Sequence, residues 1–171
     1  MERREATRRG APTDRDGIAR VLRSARRPPV TLYLDTSSLV KLYVEEAGSD
    51  DVRELVEHAV VVATSVVAYA ETRATLARLR RSGALTTARA AAAKRQFESD
   101  WPSYLALDVT AGLAREAGAF AEQYALRGFD AIHLASFAAV ARRASPEDTR
   151  FSSFDDRLNK AAQTVSARLR D

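Results

Sequence analysis

The sequence predicts an α/β fold, a three-layer sandwich in which helices flank a mostly parallel central sheet. From residue 30 onward, short apolar segments that suit buried strands alternate with longer segments of helical periodicity. This alternation is typical of parallel strands joined by helical crossovers. The chain has 171 residues, of which 46% are hydrophobic, so it is long enough to bury the core of one such domain.

The first 29 residues differ in composition from the rest. They contain nine arginines against four acidic residues, whereas the remainder of the chain is close to neutral although the whole carries a net charge of +4. We predict that residues 1–29 form a basic N-terminal extension, either disordered or preceding the true start, and that residues 30–171 form the folded domain. The alternative for the extension is a basic arm that contacts RNA or a partner.

The strands are predicted from short apolar runs bounded by turn residues or helix caps. Four of them are expected in the sheet, and the segment "TVSARL" near the end is predicted as a further edge strand. Their ranges are 30–34, 60–64, 103–109, 150–154 and 164–169.

The helices are predicted from apolar residues at helical spacing behind Ser or Thr caps. Thr36 or Ser37 is expected to cap the first helix and Ser65 the third, which Gly83 ends. Thr86 and Thr110 are expected to begin later helices. The predicted ranges are 36–44, 49–59, 65–82, 86–99, 110–126, 129–144 and 155–162.

Several classes of protein are excluded by composition. The chain has no cysteine, which excludes a disulfide scaffold and a thiolate metal site. With only His58 and His133, a multi-histidine zinc site is excluded as well. The longest apolar run, residues 59–70, is too short to span a bilayer, and the N-terminus lacks the apolar core of a secretory signal. We therefore expect a cytoplasmic protein that does not associate with membranes.

Four carboxylates are expected near one edge of the sheet. Asp35 and Asp155 directly follow the first and fourth strands, Glu71 lies on the helix after the second strand, and Asp130 lies in the first turn of a later helix. Ligands of open α/β sheets bind at the carboxyl ends of the strands. Each acid alone could have a purely structural role, for example by interacting favourably with the dipole at a helix N-terminus.

Carboxylates that converge repel one another by about 4 kcal/mol per close pair at an effective dielectric near 20. Their pKa values then rise, or a cation neutralises them. A cluster of carboxylate oxygens suits Mg²⁺ or Mn²⁺, and cations held in this way promote phosphodiester hydrolysis. Glycoside hydrolysis also uses carboxylates but needs only two of them.

Four segments in this order resemble PIN-domain ribonucleases, specifically the VapC-type toxins of type II toxin–antitoxin pairs. The segments are "YLDTSSLVKLYVEEAGSD", "TSVVAYAETRATLARL", "RGFDAIHLASF" and "FSSFDDRLNKAA". The resemblance covers about residues 31–162 and implies a PIN-like sandwich. The extension before residue 31 and the segment after Ala162, which lacks the glycine-containing turn usual before the last strand, depart from the family pattern.

The resemblance implies an endoribonuclease that depends on Mg²⁺ or Mn²⁺, with Asp35, Glu71, Asp130 and Asp155 as catalytic and metal-binding residues. It also implies that hydroxyls at Ser37 and Ser153 support these acids or their water. A small antitoxin protein is the expected partner, RNA the expected substrate and a homodimer the expected assembly. Asp156 lies where the family often has a basic residue, and its contribution is left open.

Arg78 and Arg73, on the helix that carries Glu71, are candidate contacts for RNA phosphate, Arg78 first because it shares a helix face with Glu71, although a solvated helix face is the simpler explanation for both. His133 is expected to pack or to hydrogen-bond, not to catalyse. Two other functions stay open at this point. The chain could be a PIN-type nuclease of RNA processing or DNA metabolism outside toxin–antitoxin biology, or a non-catalytic module that uses the acidic cleft to bind a partner.

Overall fold

The computed structural model describes residues 30–171. The basic extension predicted for residues 1–29 lies outside the described residues. Four strands alternate with seven helices in this part of the chain, and a short 3₁₀ turn, Trp101–Ser103, follows the fourth helix. The strands are β1 Val30–Leu34, β2 Ala59–Ser65, β3 Leu105–Leu107 and β4 Thr149–Ser152. The helices are α1 Thr36–Val40, α2 Ser49–Glu57, α3 Val67–Arg81, α4 Thr87–Asp100, α5 Ala111–Tyr124, α6 Gly128–Arg143 and α7 Asp156–Arg170.

The sheet has the order β3-β2-β1-β4, and all three strand pairs are parallel. The predicted α/β fold with a mostly parallel sheet is therefore confirmed. β1 lies between two neighbours, and Leu32, Tyr33 and Leu34 on it are buried. An apolar run of this kind is typical of a strand covered on both faces. Because the strands are parallel, their carboxyl ends meet at one edge.

Helices cover both faces of the sheet and so complete the three layers. On one face, Tyr33 of β1 packs in a core with Leu134 and Phe137 of α6 and Leu158 of α7. On the other, side chains of β1 pack with residues of α1 to α4, including Phe97 of α4. Successive residues of a strand point to opposite faces, which explains why Tyr33 and its neighbours Leu32 and Leu34 belong to different cores.

The edge strand predicted for residues 164–169 is wrong, because α7 continues without a break to Arg170. Its buried residues are Leu158, Ala161, Ala162 and Val165, whose spacing of three and four residues forms one helical face. Burying Val165 on this face extends the helix through a segment whose composition is compatible with a strand.

Two predicted helix starts also differ from the structure. Asp35, not Thr36 or Ser37, caps α1, since its carboxylate accepts a hydrogen bond from the Ser38 N–H. Ser65 is the last residue of β2, and α3 begins two residues later without a side-chain cap. The chain thus turns directly from strand into helix at both places. Among residues 30–171, no helix is long and apolar enough to cross a membrane.

Candidate active site

Asp35 lies at the carboxyl end of β1 and is only 6% exposed. Four short contacts hold its two carboxylate oxygens. Ser37 Oγ donates to Oδ1 at 2.7 Å and to Oδ2 at 3.0 Å, the Ser38 N–H donates to Oδ1 at 2.9 Å, and Ser153 Oγ donates to Oδ2 at 2.8 Å. These donors offset much of the cost of burying a carboxylate. Asp35 is therefore held in one orientation at the edge of the sheet.

The same hydroxyls connect Asp35 to the loop after β4. Ser37 Oγ accepts a hydrogen bond from the Phe154 N–H at 2.8 Å, and Ser153 Oγ accepts one from the Asp155 N–H at 3.0 Å. Asp155 is exposed and caps α7, because its Oδ1 accepts from the Leu158 N–H at 2.8 Å. Asp155 keeps its second oxygen free of any hydrogen bond within residues 30–171 and so can reach a ligand.

Glu71, on α3, is partly buried and held by two side chains. Thr36 Oγ1 donates to its Oε2 at 2.6 Å, and His133 Nε2 lies 3.0 Å from the same oxygen. Burial raises the pKa of Glu71, but the hydrogen bonds from His133 and Thr36 outweigh it, so the pKa is lowered from its ordinary value. Glu71 is thus a carboxylate at neutral pH, although it sits in a largely apolar helix face.

His133, on α6, joins Glu71 to the core of the domain. The ring is buried, and Tyr33 Oη lies 3.0 Å from Nδ1, opposite the nitrogen that meets Glu71. Burial raises the pKa of Tyr33 well above its ordinary value, so the hydroxyl keeps its proton. The tautomer with the proton on Nε2 lets Tyr33 donate to His133 and His133 donate to Glu71.

Asp130, in the first turn of α6, is partly buried, and its pKa is raised from its ordinary value. Burial is the largest cause, and the negative charges of Asp155 and Asp35 add to it. Arg127 and His133 oppose the shift. Asp130 is therefore near enough to Asp35 and Asp155 to be repelled by both, whereas Glu71 is not among the charges that affect Asp130.

The carboxylates do not form a closed cage. Within the described residues, no group of three or more His, Cys, Asp or Glu side chains has the spacing of a ready-made metal site. The arrangement is instead an open acidic edge, with Asp35 fixed by hydroxyls, Glu71 fixed by Thr36 and His133, and Asp130 and Asp155 more accessible. Asp156 is exposed at the first position of α7.

The basic residues near this edge are not the ones singled out from the sequence. Arg73 pairs with Glu98 of α4 and lies over the ring of Tyr69, so its guanidinium is already engaged. Arg78 is exposed and lies two turns beyond Glu71 on α3. Arg127, which was not identified from the sequence, is exposed, and its positive charge opposes the upward shift of the Asp130 pKa. Its position three residues before Asp130 could have identified it in the sequence as a cation near the site.

Comparison with known proteins identifies the family of the chain. Residues 32–163 match the PIN domain family. Two ribonucleases of Mycobacterium tuberculosis are similar to the chain, Ribonuclease VapC45 of strain CDC 1551 / Oshkosh and Ribonuclease VapC49 of strain ATCC 25618 / H37Rv. Each is 39% identical over 109 residues, which make up 64% of this chain and 76% of the relative. The family match, residues 32–163, includes all four carboxylates and most of the chain, so the resemblance predicted from the motifs is confirmed and the chain belongs to the PIN domain family.

Proposed function

We propose that this chain is a metal-dependent endoribonuclease, the toxin of a toxin–antitoxin pair. The observation that carries the proposal is that carboxylates meet at one edge of the sheet: Ser153 Oγ contacts both Asp35 Oδ2 and the Asp155 N–H, and Asp130 has a pKa raised first by burial and then by the charges of Asp155 and Asp35. A bound cation would reduce the repulsion between these like charges. The site also lies at the edge of the sheet where α/β proteins bind ligands. The similarity to two proteins named ribonucleases supports RNA as the substrate.

The donor set fits Mg²⁺ or Mn²⁺. The candidate ligands Asp35, Glu71, Asp130 and Asp155 offer only carboxylate oxygens, which hard divalent cations prefer. A cation bound there would neutralise charge on the scissile phosphodiester and act as a Lewis acid in its hydrolysis. The open spacing of the acids leaves room for water and phosphate oxygens, which Mg²⁺ usually keeps among its ligands.

The side chains of this protein have separate roles in the proposed reaction. Ser37 and Ser153 keep the oxygens of Asp35 aimed at the edge of the sheet, as outer hydrogen-bond partners of metal ligands commonly do. Thr36 and His133 do the same for Glu71. Arg127 offers a positive charge beside Asp130 for a phosphate of the RNA backbone. Arg78 remains a candidate for a more distant phosphate.

The assembly is part of the proposal. A small antitoxin protein would bind the domain and block the acidic edge, and the domain would act as a homodimer in the cytoplasm. We further propose that residues 30–171 form the catalytic domain and that the basic segment 1–29 is dispensable for cleavage.

One experiment tests the proposed activity. Purified protein is incubated with single-stranded RNA and Mn²⁺, with and without EDTA, beside Asp35→Asn and the exposed control Glu122→Gln. Asparagine also caps helices well, so Asp35→Asn preserves the start of α1 while removing the charge. We expect cleavage by the parent and the control, and none with EDTA or Asp35→Asn. Cleavage that survives EDTA or the Asp35 substitution contradicts a metal-dependent nuclease.

A further inference from the structure

A buried lysine joins two loops of the molecule. Lys41, directly after α1, is only 7% exposed, although lysine is seldom buried unless its charge is paired. Its Nζ donates to Glu46 Oε1 at 2.8 Å and to the Ala47 carbonyl at 2.7 Å. The same ammonium lies 4.0 Å from the centroid of the Phe154 ring. It therefore connects the loop between α1 and α2, residues 41–48, to the loop between β4 and α7.

The loop of residues 41–48 is braced by further hydrogen bonds. Ser49 Oγ, which is buried, donates to the Val44 carbonyl at 3.0 Å and accepts from the Glu46 N–H at 3.1 Å. The Ser49 N–H in turn donates to the Glu46 carbonyl at 3.0 Å. Because Lys41 also binds the Glu46 side chain, the loop offers a fixed surface to a side chain that packs on it.

The ring of Phe154 contacts this surface at its face and at its edge. Lys41 Nζ lies over the face, in a cation–π contact. At the edge, Gly48 approaches so closely that a β-carbon there would lie 2.5 Å from Cε1 and 2.6 Å from Cζ. Real β-carbons do not come so close, so a side chain at position 48 requires the ring to move. The ring is therefore held in place although Phe154 is 48% exposed.

Phe154 is the middle residue of the three that join β4 to α7. Its N–H donates to Ser37 Oγ at 2.8 Å, and Asp155 comes next in the chain. The backbone of Phe154 is thus restrained by its N–H and by its ring, and this backbone sets the direction in which the chain reaches Asp155. One oxygen of Asp155 already accepts the Leu158 N–H at 2.8 Å, so the orientation of the other depends on where the backbone places the residue.

We propose that residues 41–48 position Asp155 through the ring of Phe154. Phe154 and the two residues that hold its ring, Lys41 and Gly48, are then positioning residues. The proposal rests on the proposed function, in which Asp155 is a metal ligand. Such a ligand must be held within about 0.5 Å of its productive position by neighbours that are themselves fixed. Two other proposed ligands have hydroxyl or imidazole partners for this purpose, whereas the exposed Asp155 has an aromatic ring seated on a braced loop.

Gly48→Ala tests the contact, because the added β-carbon forces the Phe154 ring off the loop. Gly83→Ala is the matched control. The φ of Gly83 is 77°, close to the 86° of Gly48, but a β-carbon there would meet no atom of the described residues within 4 Å, its chain neighbours aside. Both variants therefore suffer similar backbone strain, and only Gly48→Ala displaces the ring. We expect Gly48→Ala to weaken Mn²⁺ binding by about fivefold or more in isothermal titration, and Gly83→Ala to bind like the parent.

Phe154→Leu removes the ring and completes a double-mutant cycle. We expect this variant alone to weaken Mn²⁺ binding by about as much as Gly48→Ala does. In the Phe154→Leu background, Gly48→Ala should cause no further loss of affinity, because the two substitutions break the same contact. Thermal melting of each variant measures the loss of stability separately from the loss of Mn²⁺ affinity.

Amide hydrogen exchange, followed by NMR without metal, reports on the position of Asp155 directly. The Leu158 N–H, which donates to Asp155 Oδ1, should exchange faster in Gly48→Ala than in Gly83→Ala. This measurement requires neither metal binding nor cleavage, so it tests the effect of the ring on Asp155 apart from the proposed nuclease activity.

The proposal is overturned if Gly48→Ala binds Mn²⁺ as tightly as Gly83→Ala, even where it melts at a lower temperature. It is also overturned if the effects of Gly48→Ala and Phe154→Leu on Mn²⁺ affinity add in full, or if the Leu158 amide exchanges equally fast in both glycine variants. A parent that binds Mn²⁺ while these variants match it contradicts the positioning role alone. A parent that does not bind Mn²⁺ contradicts the proposed function as well.

Discussion

Ser153 Oγ donates a hydrogen bond of 2.8 Å to Oδ2 of Asp35, although 118 positions separate the two residues in the chain. The bond joins the end of β1 to the loop after β4, two strands that are neighbours in the sheet. The same hydroxyl accepts the Asp155 N–H at 3.0 Å. One serine thus sets the orientation of one proposed ligand and the backbone position of another.

Ser153→Ala should weaken Mn²⁺ binding by about 10- to 100-fold, because outer hydrogen bonds that orient metal ligands contribute this much. Isothermal titration of the purified variant with Mn²⁺ measures the change. Ser82→Ala is the matched control, since Ser82 is exposed at the end of α3 and, among residues 30–171, its hydroxyl hydrogen-bonds only to the Leu79 carbonyl. Equal Mn²⁺ affinity in parent and Ser153→Ala would show that the hydroxyl does not support the site.

Thr36→Val should lower the free energy of unfolding by about 1.5–3 kcal/mol at pH 7, because the 2.6 Å hydrogen bond from Thr36 Oγ1 to the Glu71 carboxylate is lost. The folded pKa of Glu71 is lowered from its ordinary value of 4.5. Its contribution to stability is therefore present above pH 4.5 and is lost as the pH falls through the folded pKa. The difference between parent and Thr36→Val should shrink over that range.

Urea unfolding at a series of pH values between 7 and 3 measures this difference. Thr87→Val is the control, because Thr87 is exposed in the first turn of α4 and donates no side-chain hydrogen bond within the described residues. If Thr36→Val lowers the free energy of unfolding by the same amount at every pH down to 3, the lost stability does not come from the hydrogen bond to the Glu71 carboxylate.

The placement of Asp35 and Asp155 at the carboxyl ends of β1 and β4 could be predicted from the sequence because it depends on topology. A parallel sheet brings the carboxyl ends of its strands to one edge, so Asp35 and Asp155 had to be neighbours there once the strands were assigned. The hydrogen-bond partners of Glu71 could not be predicted from the sequence. Thr36 and His133 are 35 and 62 positions away from it. Their contacts depend on how α1, α3 and α6 pack, which residue spacing along one chain segment does not specify.

The error at the C-terminus has a different cause. The segment "TVSARL" has β-branched residues at its start and no helix-breaking residue, so local propensity left strand and helix both open. Tertiary packing decided between them, because Leu158, Ala162 and Val165 lie on one helical face buried against the sheet. Arg73 illustrates the same limit, since the sequence around Arg73 does not indicate that its guanidinium forms an ion pair with Glu98.

Thr164→Pro tests the assignment of α7. Thr164 is exposed in the middle of the helix, so proline there removes a backbone hydrogen bond and clashes with the preceding turn. We expect the free energy of unfolding to fall by about 3 kcal/mol or more, measured by urea denaturation, and Thr164→Ala to change it by less than about 0.5 kcal/mol. Tolerance of proline at this position would fit the edge strand that the structure excludes.

The raised pKa of Asp130 predicts that the folded protein keeps Asp130 near Asp35 and Asp155 although their charges repel. Burial raises the pKa first, and the charges of Asp155 and Asp35 raise it further above the ordinary value of 3.8. The folded state therefore holds the proton of Asp130 more tightly than the unfolded state does. The contribution of Asp130 to the free energy of unfolding therefore falls as the pH rises from about 3.8 through the folded pKa, and it is constant above that pKa.

Asp130→Asn should accordingly match the parent in stability below pH 3.8 and exceed it at pH 7, where the uncharged amide no longer repels Asp35 and Asp155. Mn²⁺ should stabilise the parent more than the variant, because the variant lacks one of the proposed ligands. At 100 times its Kd the ion stabilises the parent by about 2.7 kcal/mol, and at the same concentration it should stabilise Asp130→Asn by much less. Thermal melting with and without Mn²⁺ at several pH values measures both effects, with Glu122→Gln as the control. A variant that is less stable than the parent at pH 7 without metal would contradict the repulsion on which the proposed site depends.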